Sequence, residues 1–210
     1  MPRYSPLTWT QDLIAIVLIT VISVITRLFI VDSLQVKNIK DKVVLITGAD
    51  SGFGRVVIHR LLQANVTVFA GCQREESICL IEDENKDSNG VLEVFHMDVT
   101  NEYSVSDAKH RVSKFLDANP GKEFHAIVHL AQVYENCMID DFLNTDSYRS
   151  AMETNFIGAV RVTQFFKDFL KKTSGRIVAY TSSAVRFPFD GFGPIVASKS
   201  ALNGYMETLR

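Results

Sequence analysis

A glycine-spaced loop that directly follows a short apolar run constrains this chain more than any other feature. Residues 43–54 read VVLITGADSGFG. Gly48 permits a sharp turn off a strand, Gly52 lets the backbone approach a phosphate, and Gly54 lets the following helix pack closely on the sheet. The N–H groups that open such a helix, together with its dipole, favour a bound anion. The loop therefore predicts a binding site for the pyrophosphate of a dinucleotide.

Short apolar runs and amphipathic stretches alternate along the rest of the chain. The predicted strands are Val43–Thr47, Val66–Ala70, Val91–Phe95, Phe124–Leu130 and Arg176–Thr181. The predicted helices are Gly52–Gln63, Glu75–Asp83, Asn101–Asp117, Asp146–Lys172 and Pro194–Leu209. This alternation predicts an α/β fold with a parallel, doubly wound sheet. An ordinary glycine turn is the weaker interpretation of the loop, because an apolar helix face follows it at Val56, Val57, Leu61 and Leu62.

Five short motifs occur in a fixed order along the chain. They are Thr47-Gly48-x-x-x-Gly52-x-Gly54, Asp98-Val99-Thr100, Asn155 in METNFIGAV, Ser182-Ser183 after GRIVAYT, and Ala197-Ser198-Lys199. Together they resemble the motifs of the short-chain dehydrogenase/reductases, and TGADSGFG looks like the subgroup of retinol, 17β-hydroxysteroid and 3-hydroxybutyrate dehydrogenases. The resemblance runs from about residue 42 to residue 210. It implies a Rossmann-type doubly wound parallel sheet that lacks the last strands of the family.

The same resemblance implies a role for individual residues. The implied cofactor-binding residues are Thr47, Gly48, Ser51, Gly52, Phe53, Gly54, Asp98, Val99, Ala131 and Lys199. For catalysis, Ser183 would polarise a carbonyl, Lys199 would hold the ribose and lower the pKa of a proton donor, and Asn155 would hold a relay water. The implied reaction is the NAD(P)-dependent interconversion of a hydrophobic alcohol and a ketone or aldehyde, of retinoid or steroid type.

A hydrocarbon side chain occupies the position of the family's catalytic tyrosine. Counting back four residues from Lys199 gives Ile195, and Ser183 lies twelve residues before it, which is the family's usual separation. The register is therefore sound, and no spacing directs another tyrosine (Tyr134, Tyr180 or Tyr205) at Lys199. General acid–base catalysis contributes about 10²–10⁴-fold, so we expect impaired catalysis. The alternatives are a non-catalytic dinucleotide-binding protein and an incomplete chain that acts as an association partner.

The turn after the fourth predicted strand also departs from the family. Residues 127–132 read IVHLAQ where the family has a strand ending in NNAG, so only Ala131 is retained. Gln132 introduces a side chain near the expected nicotinamide end of the site. His129 has two interpretations, a new catalytic base or a hydrogen-bonded core histidine, and the second is favoured.

The choice between NAD and NADP depends on the end of the second strand. An acidic residue there normally binds the ribose 2′-hydroxyl, but counting from Gly54 places Cys72 at this position, followed by Gln73 and Arg74. Arg74 is interpreted either as a partner for a 2′-phosphate or as a solvated charge at a helix entry. Similar subgroup members lack the acid and use NAD, so the cofactor is NAD or NADP, with NAD favoured.

An apolar segment precedes the α/β region. Fourteen of the nineteen residues in 13–31 are Leu, Ile, Val or Phe, each worth about −0.3 to −0.6 kcal/mol for membrane insertion, and only Arg27 opposes them. Nineteen residues suit one span of a bilayer about 30 Å thick. The competing interpretations are a signal peptide, a peripheral hairpin and an interfacial helix. We expect a membrane anchor with its flank at residues 1–35 and an NAD(P)-binding domain at residues 36–210.

Charge and cysteine content bear on location and partners. Basic residues concentrate after the apolar segment, at Lys37, Lys40 and Lys42, which predicts a domain on the cytosolic side of the membrane. The membrane is expected to be that of the endoplasmic reticulum. Three unpaired cysteines, including Cys137, indicate a reducing compartment. A net charge of −2 gives no reason to expect nucleic acid as a partner, and no histidine spacing predicts a metal site.

The end of the sequence carries two further expectations. The family continues beyond the helix that carries Lys199 through two more strands and a substrate loop, so the chain is interpreted as a fragment, a splice product or a protein that needs a partner. By analogy, the helices predicted at Asp146–Lys172 and Pro194–Leu209 would form a homodimer interface.

Overall fold

The computed structural model describes residues 6–34, 36–134 and 138–209, and these fall into two units, Met1–Asn38 and Ile39–Arg210. The described part of the first unit contains one long helix, α1 (Pro6–Leu34). The predicted anchor at 13–31 lies within α1, and the side chains of its last four residues, 28–31, are outside the described part. In the portion of the chain that is described, no helix combines the length and the apolar character needed to span a bilayer.

The second unit is built on a sheet of five strands. Its strands are β1 (Lys42–Thr47), β2 (Thr67–Cys72), β3 (Leu92–His96), β4 (Glu123–His129) and β5 (Arg176–Ala179). All neighbouring strands pair in parallel, in the order β3-β2-β1-β4-β5. This confirms the predicted α/β class with a parallel, doubly wound sheet. The fifth strand ends at Ala179, two residues earlier than predicted.

The second unit contains six α-helices in the described residues. They are α2 (Gly52–Gln63), α3 (Glu76–Glu84), α4 (Glu102–Ala118), α5 (Thr145–Met152), α6 (Gly158–Thr173) and α7 (Gly193–Thr208). Shorter 3₁₀ turns occupy Ile39–Asp41, Asp140–Phe142 and Ser183–Val185. The prediction of one continuous helix over Asp146–Lys172 is wrong in one respect. A π-helical turn at Glu153–Ile157 separates α5 from α6, and turns of this kind occur frequently at functional sites.

Both faces of the sheet are covered, which is why its strands read as continuous apolar runs. Side chains alternate along β1, so that Val43 and Leu45 join one buried cluster while Val44 and Ile46 join the other. Helices α4 and α6 complete the first cluster, and α2 and α3 complete the second.

The strand order fixes where a ligand site can form. Because β2 and β4 flank β1 on opposite sides, the order reverses between β1 and β4, and a crevice opens beyond the carboxyl ends of these strands. Doubly wound sheets bind their ligands at such a reversal. The glycine loop, residues 48–54, begins at this point.

Candidate active site

The three glycines of the loop meet different surroundings. Gly48 has a φ of +65°, and a Cβ added there would lie 2.6 Å from the backbone of Ala131. A Cβ at Gly54 would lie 2.5 Å from the carbonyl oxygen of Ala49. By contrast, no atom lies within 4 Å of a Cβ added at Gly52. The fold itself therefore requires the first and third glycines, whereas the second faces open space that a ligand can enter.

The first turn of α2 presents free backbone donors to that space. Ser51 caps the helix, because its Oγ accepts a hydrogen bond from the Gly54 N–H at 3.0 Å and donates to the Gly48 carbonyl at 2.8 Å. The Arg55 N–H bonds to the Ser51 carbonyl at 3.1 Å. The N–H groups of Gly52 and Phe53 have no partner within the helix. These donors and the helix dipole form a site for a phosphate group.

A cavity of about 220 Å³ lies beside the loop. The glycine loop, the turns that follow β2, β3 and β4, and Thr154 form its walls. Five of the sequence-predicted cofactor residues are in these walls, namely Gly48, Ser51, Asp98, Val99 and Ala131. The structure thus brings together residues from five separate parts of the sequence, as expected for a nucleotide site.

Two side chains of the cavity wall indicate what the cavity can hold. The Asp98 carboxylate is fixed by hydrogen bonds that its Oδ1 accepts from the N–H and the hydroxyl of Thr100, both at 2.8 Å. Gln132, expected at the nicotinamide end, instead lines this cavity, and its buried Oε1 has no hydrogen-bond partner among the described residues. A ligand hydroxyl or amino group would satisfy this oxygen. The residues present therefore fit the adenosine part of a nicotinamide dinucleotide.

An ion pair that the sequence did not reveal lies at the cavity edge. The Nε of exposed Arg74 contacts the Oδ2 of the largely buried Asp50 at 3.1 Å, and its guanidinium also reaches the Asp50 carbonyl at 3.3 Å. Neither interpretation of Arg74 from the sequence gave its charge a partner within the protein. The pair joins the glycine loop to the turn after β2, which are remote in sequence, so no local pattern could have predicted it.

Lys199 lies on α7 with only 1% of its surface exposed. Its Nζ donates a hydrogen bond to the Tyr180 carbonyl at 2.8 Å and lies 5.2 Å from the centroid of the Tyr180 ring. Burial lowers the pKa of the ammonium from 10.5 to about 8. Ile195 lies one helical turn earlier, is 2% exposed, and offers no proton to exchange.

The place of Tyr180 corrects one expectation. Sequence spacing directed no tyrosine at Lys199, yet the ring of Tyr180 lies next to its ammonium. The same ring packs on Phe53, with 5.1 Å between the ring centroids and 37° between the planes. Tyr180 directly follows β5, and its N–H still donates to the His129 carbonyl at the end of β4 at 3.0 Å, which holds the residue beside the crevice.

The remaining predicted catalytic residues lie near α7 in different surroundings. Asn155 is buried in the π turn, where its Oδ1 accepts from the Val133 N–H at 2.8 Å and its Nδ2 donates to the Ser198 hydroxyl at 3.0 Å. It therefore ties the segment after β4 to α7. Ser183 begins a 3₁₀ turn after β5 and is exposed, while its neighbour Ser182 caps that turn.

His129 is confirmed as a core histidine. It is 4% exposed, and its Nε2 lies 3.0 Å from the Thr163 hydroxyl. Burial, with a smaller contribution from the charge of Lys199, lowers the pKa of the ring from 6.5 to about 4. The imidazole is therefore neutral at neutral pH and is enclosed by the core rather than open to a substrate.

Comparison with known proteins identifies curated relatives of this chain. It is 35% identical over 187 residues to a 3beta-hydroxysteroid dehydrogenase, dhs-16, of Caenorhabditis elegans, which covers 88% of this chain and 48% of that protein. It is 32% identical over 172 residues to estradiol 17-beta-dehydrogenase 2 of Rattus norvegicus, which covers 82% of this chain and 44% of that protein. The chain therefore spans about half the length of the curated relatives it matches.

Solved structures share the fold at low sequence identity. NAD+-bound xylitol dehydrogenase superposes with a TM-score of 0.73 at 20% identity, covering 82% of this chain and 65% of that one. Serine dehydrogenase from Escherichia coli gives 0.70 at 22% identity, covering 80% and 74%. Residues 42–210 also match the family model described as short chain dehydrogenase. The motifs, the sheet and these comparisons agree, and the chain belongs to the short-chain dehydrogenase family.

Proposed function

We propose that this chain is an NAD(P)-binding member of its family whose ability to interconvert a hydrophobic alcohol and ketone is severely impaired. The observation that carries the proposal is Ile195, buried one turn before Lys199. Loss of general acid–base catalysis costs about 10²–10⁴-fold in rate, or about 3–5 kcal/mol of transition-state stabilisation. The Lys199 ammonium also donates to the Tyr180 carbonyl, so a bound ribose must compete for it.

The substrate class in this proposal is steroid-like or retinoid-like. Two curated relatives are named for hydroxysteroid and estradiol dehydrogenation, and the glycine loop resembles the retinol and hydroxysteroid subgroup. Steroids and retinoids share one chemical character, since each is a rigid apolar body with a single reacting oxygen. The alternative is a pure nucleotide-binding protein in which no alcohol is turned over.

NAD is the favoured dinucleotide because of the pair between Asp50 and Arg74. A 2′-phosphate beside Arg74 would have to displace or approach the Asp50 carboxylate, and like charges at hydrogen-bond distance repel. A ribose with free hydroxyls carries no such charge. The pair therefore supports NAD without requiring the acid that is missing at the end of β2.

Turnover assays test the catalytic part of the proposal. The chain is incubated with androstanediol or all-trans-retinol and each dinucleotide, and formation of reduced dinucleotide is followed by its absorbance. We expect the wild type to match the rate without protein. Ile195→Tyr restores the hydroxyl and should raise the rate, whereas Ile195→Phe, with a similar ring and no hydroxyl, should not. Robust turnover by the unmodified chain would refute impairment.

We further propose that α1 anchors the protein to the endoplasmic reticulum membrane, with the NAD(P)-binding domain toward the cytosol. Apolar side chains of α1 are exposed on several faces, among them Leu13, Leu18 and Ile22. The apolar residues of 13–31 sum to about −4 to −8 kcal/mol for insertion, and each added arginine costs about 2.5–3.5 kcal/mol. Alkaline extraction should leave the wild type in the membrane pellet and release Leu18→Arg/Ile22→Arg. Wild-type protein in the supernatant would contradict the anchor.

The family analogy also supports a homodimer formed through α6 and α7. Sedimentation velocity in detergent measures the mass of the full chain directly. A monomer at all concentrations tested would end this proposal without affecting the others.

A further inference from the structure

The crevice beyond the strand ends has two sides that differ in this chain. Doubly wound sheets bind a dinucleotide across the reversal in strand order, one nucleotide on each side. Here the reversal lies between β1 and β4. One nucleotide would therefore lie over the ends of β2 and β3, the other over the ends of β4 and β5, and the pyrophosphate at the glycine loop between them.

The side over β2 and β3 is open. The cavity of about 220 Å³ extends over it from the end of β4: Asp50 of the loop, Arg74 after β2 and Asp98 after β3 bound it on this side, and Ala131 bounds it toward β4. The unpartnered Oε1 of Gln132 lines the same cavity from the end of β4. Ligand pockets usually measure about 300–1,000 Å³. A cavity of this size suits one nucleotide better than two.

The side over β4 and β5 is crossed by contacts between the protein's own side chains. The ring of Tyr180, which follows β5, packs against Phe53 of the glycine loop at 5.1 Å between centroids. Lys199 on α7 also contacts Tyr180, because its Nζ donates to the Tyr180 carbonyl and lies over the Tyr180 ring. As far as the described residues show, none of these three lines the open cavity. A chain of contacts from the glycine loop to α7 thus crosses the space that a second nucleotide would need.

We propose that this chain is a receptor for the adenosine diphosphate group, as in ADP or ADP-ribose, and that Phe53 and Tyr180 cover the place of the nicotinamide nucleotide. This inference rests on the proposed function, since it requires that the glycine loop bind a nucleotide. It goes further by naming which half of the dinucleotide contributes to binding. The nicotinamide half gains no contact unless the two aromatic rings separate, and separating them exposes apolar surface and removes neighbours of the Lys199 ammonium.

Calorimetric titration of the full chain with four probes tests the inference. The probes are ADP, ADP-ribose, NAD and nicotinamide mononucleotide. We expect ADP and ADP-ribose to bind, NAD to bind no more than about threefold more tightly than ADP-ribose, and the mononucleotide to show no heat. Binding of NAD about tenfold or more tighter than ADP-ribose would overturn the inference and leave the proposed function intact. Absence of binding by all four would overturn the proposed function itself.

Variants of the aromatic contact provide the second test. Phe53→Ala removes one ring from a residue that is 58% exposed, so folding should survive, as a thermal melt will verify. The affinity of this variant for NAD should rise at least about fivefold relative to its affinity for ADP-ribose. Tyr180→Phe is the matched control, because it keeps the ring and the backbone carbonyl and should behave as the wild type. An unchanged NAD to ADP-ribose ratio in Phe53→Ala would show that the rings do not cover the second site.

Discussion

Replacement of His129 by glutamine should make the protein less sensitive to acid. In the wild type the ring is enclosed in the core, its Nε2 lies by the Thr163 hydroxyl, and its Nδ1 has no hydrogen-bond partner in the described residues. Protonation would place a second N–H and a positive charge in this enclosure, near the Lys199 ammonium. Glutamine can keep a polar contact with Thr163 and does not titrate.

The magnitude follows from the two pKa values of the ring. The pKa is 6.5 in the unfolded chain and about 4 in the fold, so between these values the unfolded chain binds a proton that the folded protein does not. The contribution of the neutral ring to stability is therefore fully present above pH 6.5 and is lost as the pH falls toward 4. With about 1.4 kcal/mol for each pKa unit, this one group removes about 2–2.5 kcal/mol of unfolding free energy between about pH 7 and about pH 4.5.

Urea unfolding followed by circular dichroism measures this difference. Unfolding free energies are determined for the wild type and His129→Gln at a series of pH values across this window. Carboxylates titrate in both proteins, so the quantity of interest is the difference between the two curves. The unfolding free energy of the wild type should fall by about 2–2.5 kcal/mol more than that of the variant as the pH falls across this window. Parallel curves would show that His129 titrates normally, which would reopen its interpretation as a solvent-accessible base.

The remaining predictions concern the glycine loop and the pair beside it. Asp50→Ala frees the Arg74 guanidinium, so the ratio of the NADP to the NAD dissociation constant should fall about tenfold in calorimetric titration. Arg74→Ala is the control, and it should not lower this ratio. An equal fall of the ratio in the two variants would refute the role of the pair. Gly54→Ala forces a Cβ to 2.5 Å from the Ala49 carbonyl and should cost about 1–3 kcal/mol of unfolding free energy. Gly52→Ala meets no atom within 4 Å and should unfold like the wild type while weakening ADP binding. Equal stability of the two glycine variants would contradict the packing argument.

The fold was predictable because its determinants are local in the sequence. Strands buried on both faces are apolar through their centre, and β1 is apolar from Val43 to Ile46, so its run VVLI is visible without any structure. The glycine loop is equally local, and its first and third glycines are required by close contacts with the backbone. Ile195 was identifiable because Lys199 fixes the register of α7 within one helical turn.

The features that decide what the site can hold were not predictable, because each joins distant parts of the chain. Phe53 and Tyr180 meet across more than a hundred residues, and neither belongs to a periodic pattern that would indicate the contact. The pair between Asp50 and Arg74 links a loop to the turn after the neighbouring strand. The π turn that holds Asn155 is a change of one residue in helical winding, which hydrophobic periodicity does not register.

The burial of Lys199 connects the lost tyrosine to the covered half-site. A buried ammonium is costly, and the fall in its pKa from 10.5 to about 8 corresponds to about 3–3.5 kcal/mol. A tyrosine at position 195 or a bound ribose would offer oxygens near this charge, but Ile195 offers none. The Tyr180 carbonyl and ring lie near the charge instead, and the same ring contacts Phe53. If position 195 lacks the catalytic acid and the rings cover the nicotinamide side, as we propose, the two changes stabilise one another. Restoring the hydroxyl at position 195 should for this reason raise turnover more when Phe53 is also replaced by alanine than when Phe53 is present.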